Sequence, residues 1–287
     1  MEDAKLLAPS GMGLSVSEQA GLDISMLQVR QQENLPLGSL SFWGRIKGSD
    51  KGRDADYLVL CALTPQYPFP SKKFYYTTTA APEKMSKMPD LSEEYLAHAV
   101  TLLSKPFSGE PSMPYPLPAK EGSEEEPPAE PVLDENGEEV QPEVFREEHK
   151  LAYHVALIDK DVTITPRGAY LVDAAHQVIK NKAYEGLTYE GAGQLRSYFH
   201  FRAPLSERAQ KALEKPGIVR AGDFLDPISE DAPAGTFSLY YDPSNTTAII
   251  RSFYWPGAYF YHAIGTGTYG NVYMGDGLPN TDIQFML

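Results

Sequence analysis

An acidic, proline-rich segment in the middle of the chain limits most strongly what this sequence can fold into. Residues 121–148 hold twelve acidic side chains against the single Arg146, and eight prolines lie between positions 111 and 142. Proline removes backbone donors and excludes helix, and a dense run of like charge opposes burial. The sequence therefore predicts an N-terminal α+β part (1–105), an acidic solvated linker or surface loop (106–145) and a C-terminal α+β part (146–287).

The rest of the chain is nearly neutral. Of the net charge of −14, residues 121–148 carry −11, which leaves −3 for the other 259 residues. This balance predicts no basic groove for nucleic acid. The acidic segment itself has two interpretations: a solubilising spacer, or a surface that docks electrostatically on a basic partner.

Membrane and disulfide chemistry are not expected. No stretch approaches the roughly 18 uninterrupted apolar residues of a membrane helix, and the first seven residues lack the basic start of a secretory signal. We therefore predict a cytosolic protein without membrane contact. Cys61 is the only cysteine and lies in the apolar run 58–63, which predicts an inert, buried thiol.

Periodicity predicts mixed secondary structure before the acidic segment. Ser15 and Glu18 have the spacing of a capping box at the start of a helix that Gly21 weakens. Residues 40–46 alternate between apolar and polar side chains, which is typical of a strand with one buried face. The other elements predicted here are strands at 57–63 and 72–79 and a helix capped at Asp90 that ends before Pro106.

The C-terminal part ends in a predicted antiparallel meander. Its four runs, at 236–241, 246–254, 258–264 and 269–274, are rich in β-branched and aromatic residues and are separated by turns. The elements predicted upstream are a helix or strand at 151–158, a strand at 162–165 and helices at 188–197 and 204–214. The fold class is α+β, with mixed or antiparallel β-sheets and flanking helices.

The motifs that suggest catalysis lack the context that catalysis needs. Residues 265–272 match both a glycine-rich dinucleotide loop and a kinase phosphate loop. Only 17 residues follow Gly270, too few for the helix and the acid that a dinucleotide site needs, and no Lys or Arg occurs after Arg251 to serve a kinase loop. These glycines instead predict tight hairpins. The six histidines show no helical metal-site spacing, and we expect His200 and His262 to make core hydrogen bonds. We predict no catalytic residue, cofactor or metal; the alternative is a small enzyme or ligand-binding domain that uses these two histidines.

Aromatic residues are concentrated at the end of the chain. Residues 252–287 contain nine aromatics, and only Asp276 and Asp282 are charged. Adjacent aromatics on a strand must point to both faces of the sheet, so something must cover the second face. The cover is either the protein's own helices or a partner subunit, because interface cores are also aromatic and poor in charge.

Short motifs lie across nearly the whole chain. They are Phe42-Trp43-Gly44-Arg45-Ile46, Asp56-Tyr57, Pro166-Arg167-Gly168-Ala169, Tyr184-Glu185-Gly186-Leu187, Tyr198-Phe199-His200-Phe201-Arg202, Arg251-Ser252, Trp255-Pro256-Gly257, Phe260-Tyr261-His262-Ala263, Tyr269-Gly270, Val272-Tyr273 and Phe285-Met286-Leu287. In their order and spacing these motifs resemble the radial spoke head protein 9 family of motile cilia and flagella. The extreme N-terminus and the acidic segment depart from the family pattern.

The resemblance implies a non-enzymatic structural subunit of the axonemal radial spoke head. Such a subunit works with the related spoke head proteins four and six, touches the central-pair apparatus and relays mechanical signals that control dynein. We hypothesise that the aromatic meander packs against another spoke head subunit or supports the surface that does. The candidate partner-interface residues are Trp43, Arg45, Trp255, Tyr259, Phe260, Tyr273 and Phe285.

Overall fold

The computed structural model describes residues 13–36, 38–49, 56–116, 144–214, 219–220 and 224–286. Most of the predicted acidic loop, residues 117–143, lies outside the described residues. The helices are α1 (Val16–Gln32), α2 (Glu93–Thr101), α3 (Glu147–Val162), α4 (Tyr189–Ala192), α5 (Glu207–Leu213) and α6 (Ile283–Met286), with 3₁₀ turns at Leu195–Ser197 and Ile228–Glu230. The strands are β1 (Leu40–Ile46), β2 (Tyr57–Thr64), β3 (Ser71–Thr78), β4 (Ser86–Lys87), β5 (Ile164–Pro166), β6 (Tyr170–Val172), β7 (Val178–Lys180), β8 (Tyr198–His200), β9 (Val219–Arg220), β10 (Phe237–Tyr241), β11 (Thr247–Ser252), β12 (Ala258–Ala263) and β13 (Tyr269–Gly275).

One eight-stranded sheet unites the two parts of the chain. Its strand order is β10-β11-β12-β13-β1-β2-β3-β4, so the predicted C-terminal antiparallel meander forms one half and the N-terminal strands form the other. Every neighbouring pair is antiparallel except β13 and β1, which run parallel. The α+β class is confirmed, and two small sheets, β5-β8 and β7-β6-β9, accompany the large one.

The parallel seam between β1 and β13 is short and tightly packed. Only residues 44–46 pair with 273–275. A Cβ atom at Gly44 would lie 2.2 Å from the backbone oxygen of Tyr273, so only glycine permits this approach. The register of β1 against β2 shifts between Phe42 and Gly44, which makes Trp43 the extra residue of a β-bulge.

Helices of the chain itself lie against both faces of the sheet. The apolar stripe of α3 packs with Trp43 and Tyr273 on one face, and Leu22 and Val29 of α1 pack on the other. That stripe consists of Leu151, Val155, Ile158 and Val162. Beside α3, the β5-β8 layer and the turns that follow it cover Phe260 of the meander. The chain therefore supplies the cover for which the sequence left two alternatives open, although Tyr259 stays only partly buried.

Several boundaries differ from the sequence predictions for local reasons. The cap of α2 is Ser92, whose hydroxyl accepts from Tyr95 N–H, so the prediction of Asp90 was wrong. The predicted helix at 188–197 is only one turn, followed by a 3₁₀ turn and β8, because Gly191 and Gly193 weaken it. Residues 151–158, left open between helix and strand, belong to α3. The capping box of Ser15 is confirmed.

Candidate functional site

The two tryptophans among the candidate interface residues are fastened to α3. The Nε1–H of Trp43 donates to Asp159 Oδ1 at 3.2 Å, and the Nε1–H of Trp255 donates to Asp161 Oδ2 at 2.9 Å. Trp255 is only 1% exposed. Because Trp43 comes from β1 and Trp255 from the turn before β12, the end of α3 joins both halves of the sheet.

Two further candidates, Phe260 and Tyr273, are also buried inside the chain. The Phe260 ring meets Tyr198 edge to face at 5.4 Å. The ring of Tyr273 lies 5.4 Å from that of Trp43, and its hydroxyl accepts from Gly277 N–H at 2.8 Å. Direct contact with a partner is therefore not open to these two side chains.

The other three candidates reach the surface. Arg45 forms an ion pair with Glu18, and its Nε lies 3.7 Å from Asp56 Oδ2. Tyr259 is half-buried on the face of the sheet that α1 partly covers. Phe285, on the last helix turn, is 88% exposed. The accessible part of the candidate interface thus consists of one paired cation and two aromatic rings.

A fully buried carboxylate organises the start of α3. Glu147 Oε1 accepts from the Tyr57 hydroxyl at 2.6 Å and from Gly109 N–H at 2.8 Å. Its Oε2 accepts from Ser108 N–H and from the Tyr115 hydroxyl, both at 2.9 Å. Burial opposes ionisation of Glu147, yet these hydrogen bonds outweigh it and lower the pKa of the carboxyl. The charge is therefore held by four donors from two separate segments.

Lys150, one helical turn further on, is the buried counterpart of Glu147. Its ammonium donates to the backbone oxygens of Lys105 and Pro106, both at 2.9 Å, and lies 4.3 Å from the centre of the Phe107 ring. Burial lowers the pKa of Lys150 to about 8, against the favourable charge of Glu147. We call Glu147 and Lys150 the buried ion cluster; together they fasten residues 105–115 to α3.

The two ends of the acidic segment are fixed side by side next to this cluster. Tyr115 N–H donates to Phe145 O at 2.8 Å, and Glu147 N–H donates to Met113 O at 2.9 Å. Residues 114 and 146 form an antiparallel bridge. The chain therefore leaves the described structure after residue 116 and re-enters at 144 close to the point where it left.

The histidines that the sequence singled out are held by structural contacts. His200 Nε2 lies 2.9 Å from Asp231 Oδ1. Leu187 N–H donates to His262 Nε2 at 3.4 Å, and the Tyr184 hydroxyl lies 3.1 Å from the same nitrogen. Burial lowers the pKa of His262 to about 4, so this ring is neutral near pH 7.

The glycine-rich motif forms a hairpin turn between β12 and β13, as expected. Gly265 N–H donates to Leu187 O at 3.0 Å. Gly186 has a φ of +100°, and a Cβ there would lie 2.2 Å from Thr266 O. The hairpin turn therefore packs against residues 184–187. Of the motif's glycines, Gly265 has a φ of +69°, a Cβ at Gly267 would lie 2.9 Å from Tyr184 O, and a Cβ at Gly270 would meet the Tyr261 side chain.

The described residues bear on the predictions about the Cys61 thiol, a metal site and a membrane-spanning helix. Cys61 is buried, and burial followed by the charge of Asp159 raises the pKa of its thiol to about 12, which makes it inert. Among the described residues no group of three or more His, Cys, Asp or Glu could hold a metal ion. No helix in that same part of the chain combines the length and the apolar character needed to cross a membrane.

Sequence reasoning missed the buried ion cluster and the carboxylate partners of the tryptophans. Glu147 was counted with the solvated acidic segment, although it starts a helix whose apolar positions recur at 151, 155, 158 and 162. That 3.6-residue period was the available signal. It puts Glu147, Lys150 and Leu151 on one helix face, three and four residues apart.

These features define a class of protein: an α+β fold whose large sheet is covered on both faces by the chain itself and whose helix α3 is held by buried ion contacts. No family model matches the chain. Over 98% of its length it is 35% identical to the radial spoke head protein 9 homolog of Danio rerio, of which it covers 96%. The homologs of Homo sapiens and Mus musculus are each 34% identical over 99% of the chain and 96% of their own length. The chain belongs to the radial spoke head protein 9 family.

Proposed function

We propose that the chain is a non-enzymatic structural subunit of the radial spoke head in the axoneme of motile cilia and flagella. In this role it assembles with the related spoke head proteins four and six and carries mechanical signals between the central pair and the dynein-bearing doublets. The observation that supports the proposal most is similarity over almost the full length to relatives named as radial spoke head proteins. The covered sheet and the internally bonded histidines are compatible with a scaffold.

In this proposal the candidate interface has two layers. Trp43, Trp255, Phe260 and Tyr273 form the rigid support, since all four are buried. Arg45, Tyr259 and Phe285 provide the accessible groups, and the rings bring apolar area while Arg45 adds an orienting charge. We therefore expect Phe285→Ser to weaken spoke head assembly without unfolding the chain. Co-purification of the variant with the other head subunits measures the loss of assembly.

The acidic segment supplies a second contact, with the central-pair surface. The negative charge acts over about 8 Å at physiological ionic strength, so the contact is soft and salt-sensitive. The test is deletion of residues 121–143, which spares Glu147 and Glu148 because both bond to the folded part. Unchanged beating with unchanged salt sensitivity would make the segment a spacer only.

Fractionation of cilia separates this function from the alternative of a small enzyme or ligand-binding domain. The tagged chain is expressed in ciliated cells, and isolated axonemes are extracted with increasing salt. A spoke head subunit stays with the axonemal skeleton in a fixed ratio to the other spoke subunits. Release as a free protein at low salt, with the other spoke proteins retained, would refute the proposal and favour the His200 and His262 neighbourhoods as a ligand site.

A further inference from the structure

The two edges of the eight-stranded sheet are protected very differently. One edge is β4, which has only two residues, one of them Lys87, and Pro89 follows it. Short strands, lysine and proline are the usual means by which an edge avoids pairing with another chain. The other edge is β10, whose five residues Phe-Ser-Leu-Tyr-Tyr include no charge and no proline. Only the β4 edge is therefore blocked.

The backbone of β10 presents free hydrogen-bonding groups outward. Asp242 N–H donates to Thr247 O, and Phe253 N–H donates to Thr236 O, so the even-numbered residues of β10 face β11. The N–H and C=O groups of Phe237, Leu239 and Tyr241 consequently point away from the sheet. No backbone or side-chain hydrogen bond from another described residue reaches them. Residues 238–241 are half-buried: the Tyr241 ring stacks on Tyr189 at 4.8 Å, and Leu239 packs partly against the core cluster that contains Tyr198.

We propose that β10 is a docking edge for a second copy of this chain, paired antiparallel about a twofold axis at Leu239. The three outward-facing residues are spaced by two and centred on Leu239, so Leu239 meets its own copy while Phe237 meets Tyr241. This register allows up to about six interstrand hydrogen bonds. It also joins the two sheets into one. The inference does not rest on the proposed function.

Charge and side-chain chemistry favour a second copy as the occupant. Pairing a strand with itself brings like side chains together, which is repulsive for charged residues and favourable for aliphatic and aromatic ones. Strand β10 has only the latter and one serine.

The proposed contact is small, so the assay must be able to detect weak association. A five-residue strand pair buries less than a standard protein interface of roughly 1,600 Å², so we expect a weak dimer. Sedimentation equilibrium of the full chain at about 1 to 100 µM detects a dimer whose dissociation constant lies within that range of concentration. The average mass should rise with concentration from 31.8 kDa towards twice that value. A constant mass of one chain over the whole range would overturn the proposal.

Charge variants at the axis locate the contact. Leu239→Lys and Leu239→Glu each place two like charges directly opposite each other, so each variant alone should dissociate at least tenfold more readily. An equimolar mixture of the two should recover the dimer, because opposite charges then meet. Single variants that dimerise like the parent chain, or a mixture that stays monomeric, would overturn the pairing at Leu239.

A matched control tests an exposed leucine elsewhere on the described surface. Leu27 on α1 is 51% exposed and lies beside Leu40 of β1, which is four strands from β10 in the sheet. Leu27→Lys removes a side chain of the same size and should leave the mass distribution unchanged. Loss of the dimer in this variant would assign the contact to α1 and refute the β10 edge. Circular dichroism of each variant verifies that the fold is retained.

Discussion

Replacing Glu147 by Gln should cost about 3 kcal/mol of folding stability. The change keeps the size of the side chain but exchanges one acceptor oxygen for an NH₂ group. Either Ser108 N–H or Gly109 N–H, each within 2.9 Å of the carboxylate, then loses its acceptor. A buried donor without a partner costs about 1–3 kcal/mol, and the remaining bonds lose their charge-assisted part, about 1 kcal/mol each. Relief from burying an ion offsets part of this loss.

Glu148→Gln is the matched control for this prediction. Glu148 is the next residue of α3, but its carboxylate accepts from the Tyr76 hydroxyl at 2.8 Å and otherwise lies 3.9 Å from Arg146 at the surface. We expect a loss below about 1 kcal/mol, because the amide oxygen can still accept from Tyr76 and a surface ion pair contributes little. Urea unfolding of the parent chain and both variants at pH 7 gives the two differences directly.

The pH dependence of the Glu147→Gln difference gives a second check. Because the pKa of Glu147 is lowered in the folded protein, its carboxylate contributes full stability above its ordinary pKa of 4.5. That contribution disappears as the pH falls through the lower folded-state pKa, so the parent and the variant should converge in acid. A gap that stays constant from neutral to strongly acidic pH, or equal losses in the two variants, would refute the buried ion cluster as a source of stability.

Three further predictions concern the seam between β1 and β13, the hydrogen bond from Trp255 to Asp161, and the buried imidazole of His262. Gly44→Ala should cost more than about 3 kcal/mol in urea unfolding, since the new Cβ would meet Tyr273 O at 2.2 Å, whereas Gly13→Ala, with open space around it, should be neutral. Trp255→Phe removes a hydrogen bond to a carboxylate and should cost about 2 kcal/mol in the same measurement. The pKa of His262 is lowered to about 4 in the folded protein, so as the pH falls below 6.5 this imidazole binds a proton in the unfolded chain before it does so in the folded one, and the folded state is destabilised. Between pH 6.5 and 5 the unfolding free energy of His262→Leu should therefore fall by about 1–2 kcal/mol less than that of the parent chain.

Local patterns allowed much of the fold to be predicted. The capping box of Ser15, the alternation in β1 and the turn residues between β10 and β13 each express a rule that acts over a few residues, and the structure has these elements there. The prediction that β1 has one buried face was wrong, because Phe42 and Trp43 are buried on opposite faces of the sheet. The parallel pairing of β1 with β13 could not be predicted in this way. It joins residues more than 200 positions apart, and the only local trace of it is Gly44, whose missing side chain admits the other strand.

The candidate interface illustrates the same limit. An excess of aromatic residues predicts that large apolar area is covered, but composition cannot say by what. Trp255 and Phe260 are covered by α3 and by the layer around Tyr198, whereas Phe285 remains exposed. The deciding contacts are made between distant segments, so burial had to come from the structure.

The buried ion cluster connects the base of the acidic segment to the large sheet through α3. Glu147 and Lys150 fix residues 105–115 against α3, and the far end of α3 carries the carboxylates that hold Trp43 and Trp255. A pull on the acidic segment is therefore applied at one end of a 16-residue helix whose other end is bonded to both halves of the sheet. A helix of this length is about 24 Å long and transmits displacement as a rigid element. A load on the segment should thus reach the seam between β1 and β13 through α3, without first unfolding the loop at its base.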